Sequence, residues 1–275
     1  MRASIIQLEA DHPGFNDPEY RQRRDEIARI AQDHHLGEPL PRVAYTASET
    51  ATWGTVFSEL LKLYPSHACR EYNEAMRRIG FSIDAVPQLA DVDAFLSRAT
   101  GFRIQPVAGL VGARDFLGAL AQRFFPATQY IRHHSMPHYT PEPDVVHELL
   151  GHVPMLAIQE YADLTQRIGA ATLAAPDDQI DQFSRLYWNT IEFGVVRQDG
   201  QLRAYGAGLH SSFGELSHAL AGGSDGPEIR RFAPEVASQI PNPITTYQPV
   251  LWEVASIGEA FRLVSAHIDQ IRLEG

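Results

Sequence analysis

Apolar residues along the chain recur mostly three and four positions apart, with polar residues between them, so the pattern predicts helices. The clearest stripe is Trp53, Val56, Phe57, Leu60, Leu61 and Tyr64, with Ser48 as its cap and Pro65 as its stop. Helices are also predicted over 19–34, with Gly37 just past the end, and over 68–78, ending at Gly80. Asp91 reads as the cap of another, with Val92, Phe95, Leu96 and Ala99 on one face. Residues 113–125 place Phe116, Leu117, Leu120 and Phe124 inward, and two more helices follow over 159–174 and 177–193. Strand-like segments are few. The stretch "VVRQDGQLRAY" reads as a hairpin turning at Asp199-Gly200, and 242–254 holds one further strand. "SSFGELSHAL" is a short helix capped by Ser211 or Ser212, 222–228 is a surface loop, and a last helix covers 256–273. The expected fold is therefore mainly α with a small antiparallel β-sheet, not a doubly wound α/β fold. Neither a repeat nor a linker divides 1–275, so one domain is expected, with 1–18 as an extended N-terminal arm.

Composition narrows the partners. The 275 residues are 44% hydrophobic and 21% charged, enough to build a sizeable core. A formal net charge of −11 argues against nucleic acid or an anionic membrane as partner. The single cysteine, Cys69, excludes an internal disulfide and fits a reducing, cytoplasmic setting. Arg70 beside it could activate the thiol, but a plain buried side chain is the default reading. The N-terminal stretch lacks the apolar run of a signal peptide, and no stretch is long and apolar enough to span a membrane.

Chemistry concentrates in Thr140-Pro-Glu-Pro-Asp-Val-Val-His-Glu-Leu-Leu-Gly-His152-Val-Pro154. The prolines disfavour helix just before them, Asp144 reads as an N-cap, and a short helix should start near Val145. His147 and His152 are five apart, whereas a zinc-protease motif spaces its pair by four. At roughly 100° per residue they would diverge by about 140° on a regular helix. They can share one metal ion only if the helix ends between them, at Gly151. Two surface histidines at a helix end are the plain alternative.

A third ligand is needed. Glu192 in "YWNTIEFG" stands out, because Trp188, Ile191 and Phe193 surround a carboxylate that is costly to bury unless it is paired or metal-bound. Glu148 and Glu160 are rivals, although Glu148 adjoins His147 and should point elsewhere on a helix. Two imidazoles and one carboxylate with open positions suit non-haem Fe(II) and oxygen chemistry. The same set also binds catalytic Zn²⁺, so a hydrolase stays open.

The segments "YTPEPDVVHELLGHVPML", "YWNTIEFG" and "YGAGLHSSFGEL" together resemble the catalytic domain of the pterin-dependent aromatic amino acid hydroxylases. "ADHPGFNDPEYRQRR", "TWGTVF", "HACREYN", "QPVAGL" and "TQYIRH" extend the likeness over nearly the whole chain. The resemblance implies His147, His152 and Glu192 on Fe(II), and Phe116 stacked on a tetrahydropterin such as tetrahydrobiopterin. It implies Glu148 and the Leu110, Val111 and Gly112 backbone around that ring. It also implies Arg132 on the substrate carboxylate, oriented by Asp144, with Thr140, Pro143, Trp188, Ser211 and Glu215 forming or supporting the amino acid pocket. O₂ would be co-substrate and an aromatic amino acid the only partner, in a monomer or weak dimer without regulatory domain or tetramerisation helix.

Three residues depart from the family pattern: Pro126 near the pterin, Asn189 in place of an aromatic, and His210 in "YGAGLHSS". Trp188 is similar to the phenylalanine and tyrosine enzymes, and apolar Ile244 stands where tyrosine enzymes carry an acid. "ITT" at 244–246 is similar to the tryptophan enzymes. The expected reaction is phenylalanine to tyrosine or meta-tyrosine, with tyrosine or tryptophan hydroxylation as alternatives.

Overall fold

The computed structural model describes residues 6–35, 37–222, 225–243 and 246–274. Four helices open the chain: α1 (Pro18–Gln32), α2 (Ala47–His67), α3 (Arg70–Ile79) and α4 (Leu89–Ala99). Strand β1 (Arg103–Pro106), helix α5 (Ala113–Ala121) and strand β2 (Phe124–Ala127) follow. A π-turn, His147–His152, runs straight into α6 (Val153–Leu156), and then come α7 (Gln159–Thr172) and α8 (Asp177–Tyr187). A second π-turn, Trp188–Glu192, extends α8. The rest comprises β3 (Val195–Gln198), β4 (Gln201–Ala204), α9 (Ala207–His210), α10 (Phe213–Ala219), β5 (Glu228–Arg231), α11 (Pro234–Ala237), β6 (Val250–Val254) and α12 (Ile257–Glu274).

The expected helical fold with small sheets is what forms, but most strand pairing is not antiparallel. β3 and β4 are an antiparallel hairpin, whereas β6 runs parallel to both β3 and β5, and β1 runs parallel to β2. Asp199 and Gly200 both have positive φ, 51° and 76°, as the expected two-residue turn requires. Residues 124 and 125, expected to end the 113–125 helix, instead belong to β2 and pair with β1, and α5 stops at Ala121. Of the expected N-terminal arm, 6–9 are irregular and 10–16 wind through turns in which His12 Nδ1 accepts from the Gly14 N–H at 2.9 Å.

Two caps differ from expectation. Thr46, not Ser48, caps α2 in a reciprocal capping box with Glu49. Gln88 precedes α4 without a side-chain cap bond, while Asp91 lies in the first turn and pairs with Arg42. Pro65 does not stop α2, which continues to His67. It sits in the last turn on the exposed side, where a missing intrahelical bond costs least.

The core is built on the α2 stripe. Trp53, Phe57, Leu60 and Tyr64 are buried, and each such side chain contributes roughly 1.5–3 kcal/mol. The same core holds Leu149 and Leu150 of the π-turn, Val153 of α6, and Tyr161, Leu164 and Ile168 of α7. The turn carrying the histidines is therefore part of the central core. Cys69 is one of these core residues: Sγ accepts from the Tyr72 N–H at 3.4 Å, and burial pushes the thiol far above its ordinary range. The neighbouring Arg70 is exposed and does not activate it.

Candidate metal centre

His147 and His152 converge without the helix ending between them. The turn is wound as a π-helix, with the Val153 N–H donating to the carbonyl of Glu148, five residues back. That winding brings residues five apart nearly into line. Gly151 is needed for a different reason from the one expected. A Cβ there would stand 2.8 Å from the Ala207 carbonyl oxygen, so glycine lets α9 pack directly onto the π-turn. The second π-turn does the same for Glu192, closing with a 2.9 Å bond from the Phe193 N–H to the carbonyl of Trp188.

The three side chains meet. The two imidazole Nε2 atoms are 2.9 Å apart. Glu192 Oε1 lies 3.1 Å from His152 Nε2, and Oε2 lies 3.7 Å from His147 Nε2. The Ser211 hydroxyl donates to the Ala207 carbonyl at 2.9 Å, so its lone pair accepts from the His147 Nδ1–H at 2.8 Å. This assigns the tautomer that leaves the Nε2 lone pair free. His152 is instead held by rings, Phe125 at 4.7 Å and Tyr187 at 6.4 Å between centroids.

Electrostatics agree with a ligand set. Burial drives His147 down to about 4, so it is a neutral donor at pH 7. Burial also opposes charge on Glu192 and His152, but their mutual contact outweighs it, holding the carboxyl low and the imidazole high. A cation between them would satisfy all three donors at once.

Glu148 does not point away as helical geometry suggested. It brings a carboxylate oxygen into the same cluster, within 4.8 Å of the His147 and His152 donor nitrogens. Its Oε1 already accepts from the Thr128 N–H at 3.2 Å and the Thr128 hydroxyl at 3.1 Å. Burial raises its carboxyl to about 7. Glu192 faces both imidazoles, whereas one Glu148 oxygen is already engaged by Thr128. Glu160 is exposed beside Gly258 and takes no part.

Beside the cluster lies a cavity of about 140 Å³, lined by Phe116, Leu110, Val111, Pro126, Pro143 and Glu148 among others. Gly112, expected with them, lies just beyond this lining and caps α5. Leu110 is 76% exposed at the rim, an apolar side chain that a flat ligand would cover. Pro126 ends up in β2 facing this cavity rather than distorting it.

Arg132 and Asp144 form a buried pair, with Nη2–Oδ1 at 2.7 Å and Nε–Oδ2 at 2.9 Å. Asp144 also accepts from the His147 N–H at 3.1 Å, as the expected cap. Burial opposes its ionisation, yet Arg132 holds the carboxyl below its usual range. Thr140 closes a turn by donating to the Glu142 carbonyl at 2.7 Å. Trp188 packs against Phe193 and donates to Gln248 Oε1 at 2.9 Å. Glu215, raised to about 7 by burial, accepts from the Gln248 backbone. Gln248 and Thr128 were not among the expected site residues, although Gln248 lies two positions past the "ITT" of 244–246. Ile244, the expected substrate-selecting residue, lies outside the described residues.

Asn189 and His210 are structural. The Asn189 amide donates to the carbonyls of Arg185 and Ala237, tying α8 to α11. His210 is fully buried, stacked 3.7 Å from Tyr72, and burial lowers it to about 3. The unfolded chain takes up a proton near 6.5 while the native state does not, so stability falls as pH drops below that value. Between pH 7 and 5, wild type should lose about 1–2 kcal/mol more than His210→Leu in urea unfolding.

A family profile described as "Biopterin-dependent aromatic amino acid hydroxylase" matches residues 3–274. Phenylalanine-4-hydroxylase of Caenorhabditis elegans is 52% identical, over 92% of this chain and 56% of the relative. Tyrosine 3-monooxygenase of Bos taurus is 51% identical, over 96% of this chain and 54% of the relative. The chain thus spans about half the length of the curated relatives it matches. Among solved structures, Chromobacterium violaceum phenylalanine hydroxylase with iron(III) and 7,8-dihydrobiopterin superposes with a TM-score of 0.80. It is 31% identical and covers 90% of this chain and 92% of that one.

Proposed function

Because the chain belongs to the biopterin-dependent aromatic amino acid hydroxylases, we propose that it hydroxylates the ring of an aromatic L-amino acid, phenylalanine first, using iron, a tetrahydropterin and O₂. The observation that carries this reading is the convergence of His147, His152 and Glu192 beside the Phe116–Glu148 cavity. Two neutral-capable imidazoles and one carboxylate would hold Fe(II), a donor set suited to oxygen chemistry. Bound iron and a tetrahydropterin would supply oxygen activation and two electrons.

The chain's own residues do the positioning. Phe116 gives the pterin a ring to stack on, and Glu148, raised to about 7, offers a carboxyl that can donate to it or accept from it near neutral pH. Asp144 fixes one edge of the Arg132 guanidinium, so the opposite edge is aimed. A substrate carboxylate would take the place of the Pro137 carbonyl, which accepts from Nη1 at 3.3 Å. Pro143 and Trp188 wall the substrate ring, with Trp188 fixed by Gln248 and Glu215 behind it. Apolar Ile244 supports phenylalanine over tyrosine. The relatives include both activities, so tyrosine hydroxylation is the second reading.

An aerobic assay with Fe(II), a tetrahydropterin and each of the three aromatic amino acids tests the proposal, with products separated by chromatography. A tyrosine isomer from phenylalanine, formed only with pterin and O₂, is expected. Hydrolytic activity without O₂, lost on zinc chelation, would instead support the His₂Glu hydrolase. Ser211→Ala, which frees the His147 ring, should weaken iron binding by about 10–100-fold in a metal titration.

A further inference from the structure

A second cavity, of about 590 Å³, lies between α2, α3 and the β3–β4 hairpin. It shares no lining residue with the cavity at the imidazoles. Its size falls within the range of small-molecule sites. Phe57, Tyr64, Ala68 and Met76 are buried core residues and give it an apolar floor. Its charged lining is three guanidiniums, Arg70, Arg77 and Arg203, against one carboxylate, Asp199. Three positive charges less one negative leave a net +2 there, on a chain whose formal net charge is −11.

The arginines are available. Arg70 lies 3.5 Å from Asp199, but both side chains are mostly exposed, so the pair is weak. Among the described residues, Arg77 and Arg203 make no ion pair, unlike Arg42, Arg114 and Arg197 elsewhere on the surface. Guanidiniums bind oxyanions through paired N–H groups and also stack on flat rings. A neutral apolar ligand would leave them unused, and a small inorganic anion would leave the floor uncovered.

We propose that this cavity binds a small organic anion with a flat, apolar body, an aryl carboxylate or sulfonate in chemical class. The anionic group meets Arg77 and Arg203, and the ring lies over Tyr64 and Met76. The floor is also linked to the metal-type cluster. The Tyr64 hydroxyl donates to the His210 carbonyl at 2.8 Å, and Ser211, the next residue, holds His147. The inference does not depend on the proposed reaction.

Calorimetric titration of the protein with 2-naphthalenesulfonate tests it. Saturable binding is expected. Arg77→Gln/Arg203→Gln should weaken it at least about tenfold, the scale of one lost charge-assisted hydrogen bond, with Tm unchanged because neither side chain makes an ion pair among the described residues. Neutral 2-naphthalenesulfonamide should bind wild type at least about tenfold more weakly. No binding, equal affinity in the double variant (as for binding at Arg132), or equal affinity for the sulfonamide would each overturn the proposal.

Discussion

Glu192→Gln should abolish iron loading and lower ring hydroxylation on the order of 10³-fold, the scale of losing several kcal/mol of metal-assisted stabilisation. The substitution keeps the shape of the side chain and removes its charge. In the native cluster that charge faces both imidazoles, at 3.1 and 3.7 Å. Glutamine offers one weak neutral oxygen in its place, and a hard cation prefers the carboxylate. Iron per chain, measured by atomic absorption after desalting, separates loss of metal from loss of fold, which circular dichroism reports. If the variant kept one iron and most of its turnover, Glu148 would have to be the third ligand.

Arg132→Met should be the most destabilising single change in the candidate site. Asp144 is fully buried and stays ionised because Arg132 meets both of its oxygens. Removing the guanidinium strands that charge, which costs about 3–5 kcal/mol and lowers Tm on the order of 10 °C. The sign with pH is fixed by the depressed carboxyl. The pair's contribution is complete above the ordinary value of 3.8 and is lost as pH falls through the lower native one. Below that range wild type and Arg132→Met should therefore converge in stability. Arg132→Lys separates folding from recognition: it keeps the charge, so most stability should return while the amino acid KM stays raised.

Much of the candidate site could be read from the residues, but its geometry could not. The five-residue spacing of His147 and His152 ruled out a regular helical face correctly. The helix does not break at Gly151 but winds as a π-turn, and π-winding leaves no periodic mark in six residues. Gly151 then reports contact with α9, a tertiary fact invisible locally. Strands β1 and β2 span four residues each, too short for alternation to show. Thr46 was different. The run Thr46-Ala-Ser-Glu49 is a capping-box signature legible in the sequence, whereas Ser48 has Ala51, not an acid, three residues on. The role of Gln248 depends on meeting Trp188, sixty positions away in sequence, which only the fold reveals.

A single turnover tests the central claim most directly. Protein loaded anaerobically with one Fe(II), a tetrahydropterin and phenylalanine is pulsed with O₂, then quenched and its amino acids separated. The account predicts close to one hydroxylated phenylalanine per iron, none without the pterin, and none from His147→Ala or His152→Ala. Product formed without pterin or O₂, or undiminished in either histidine variant, would contradict it.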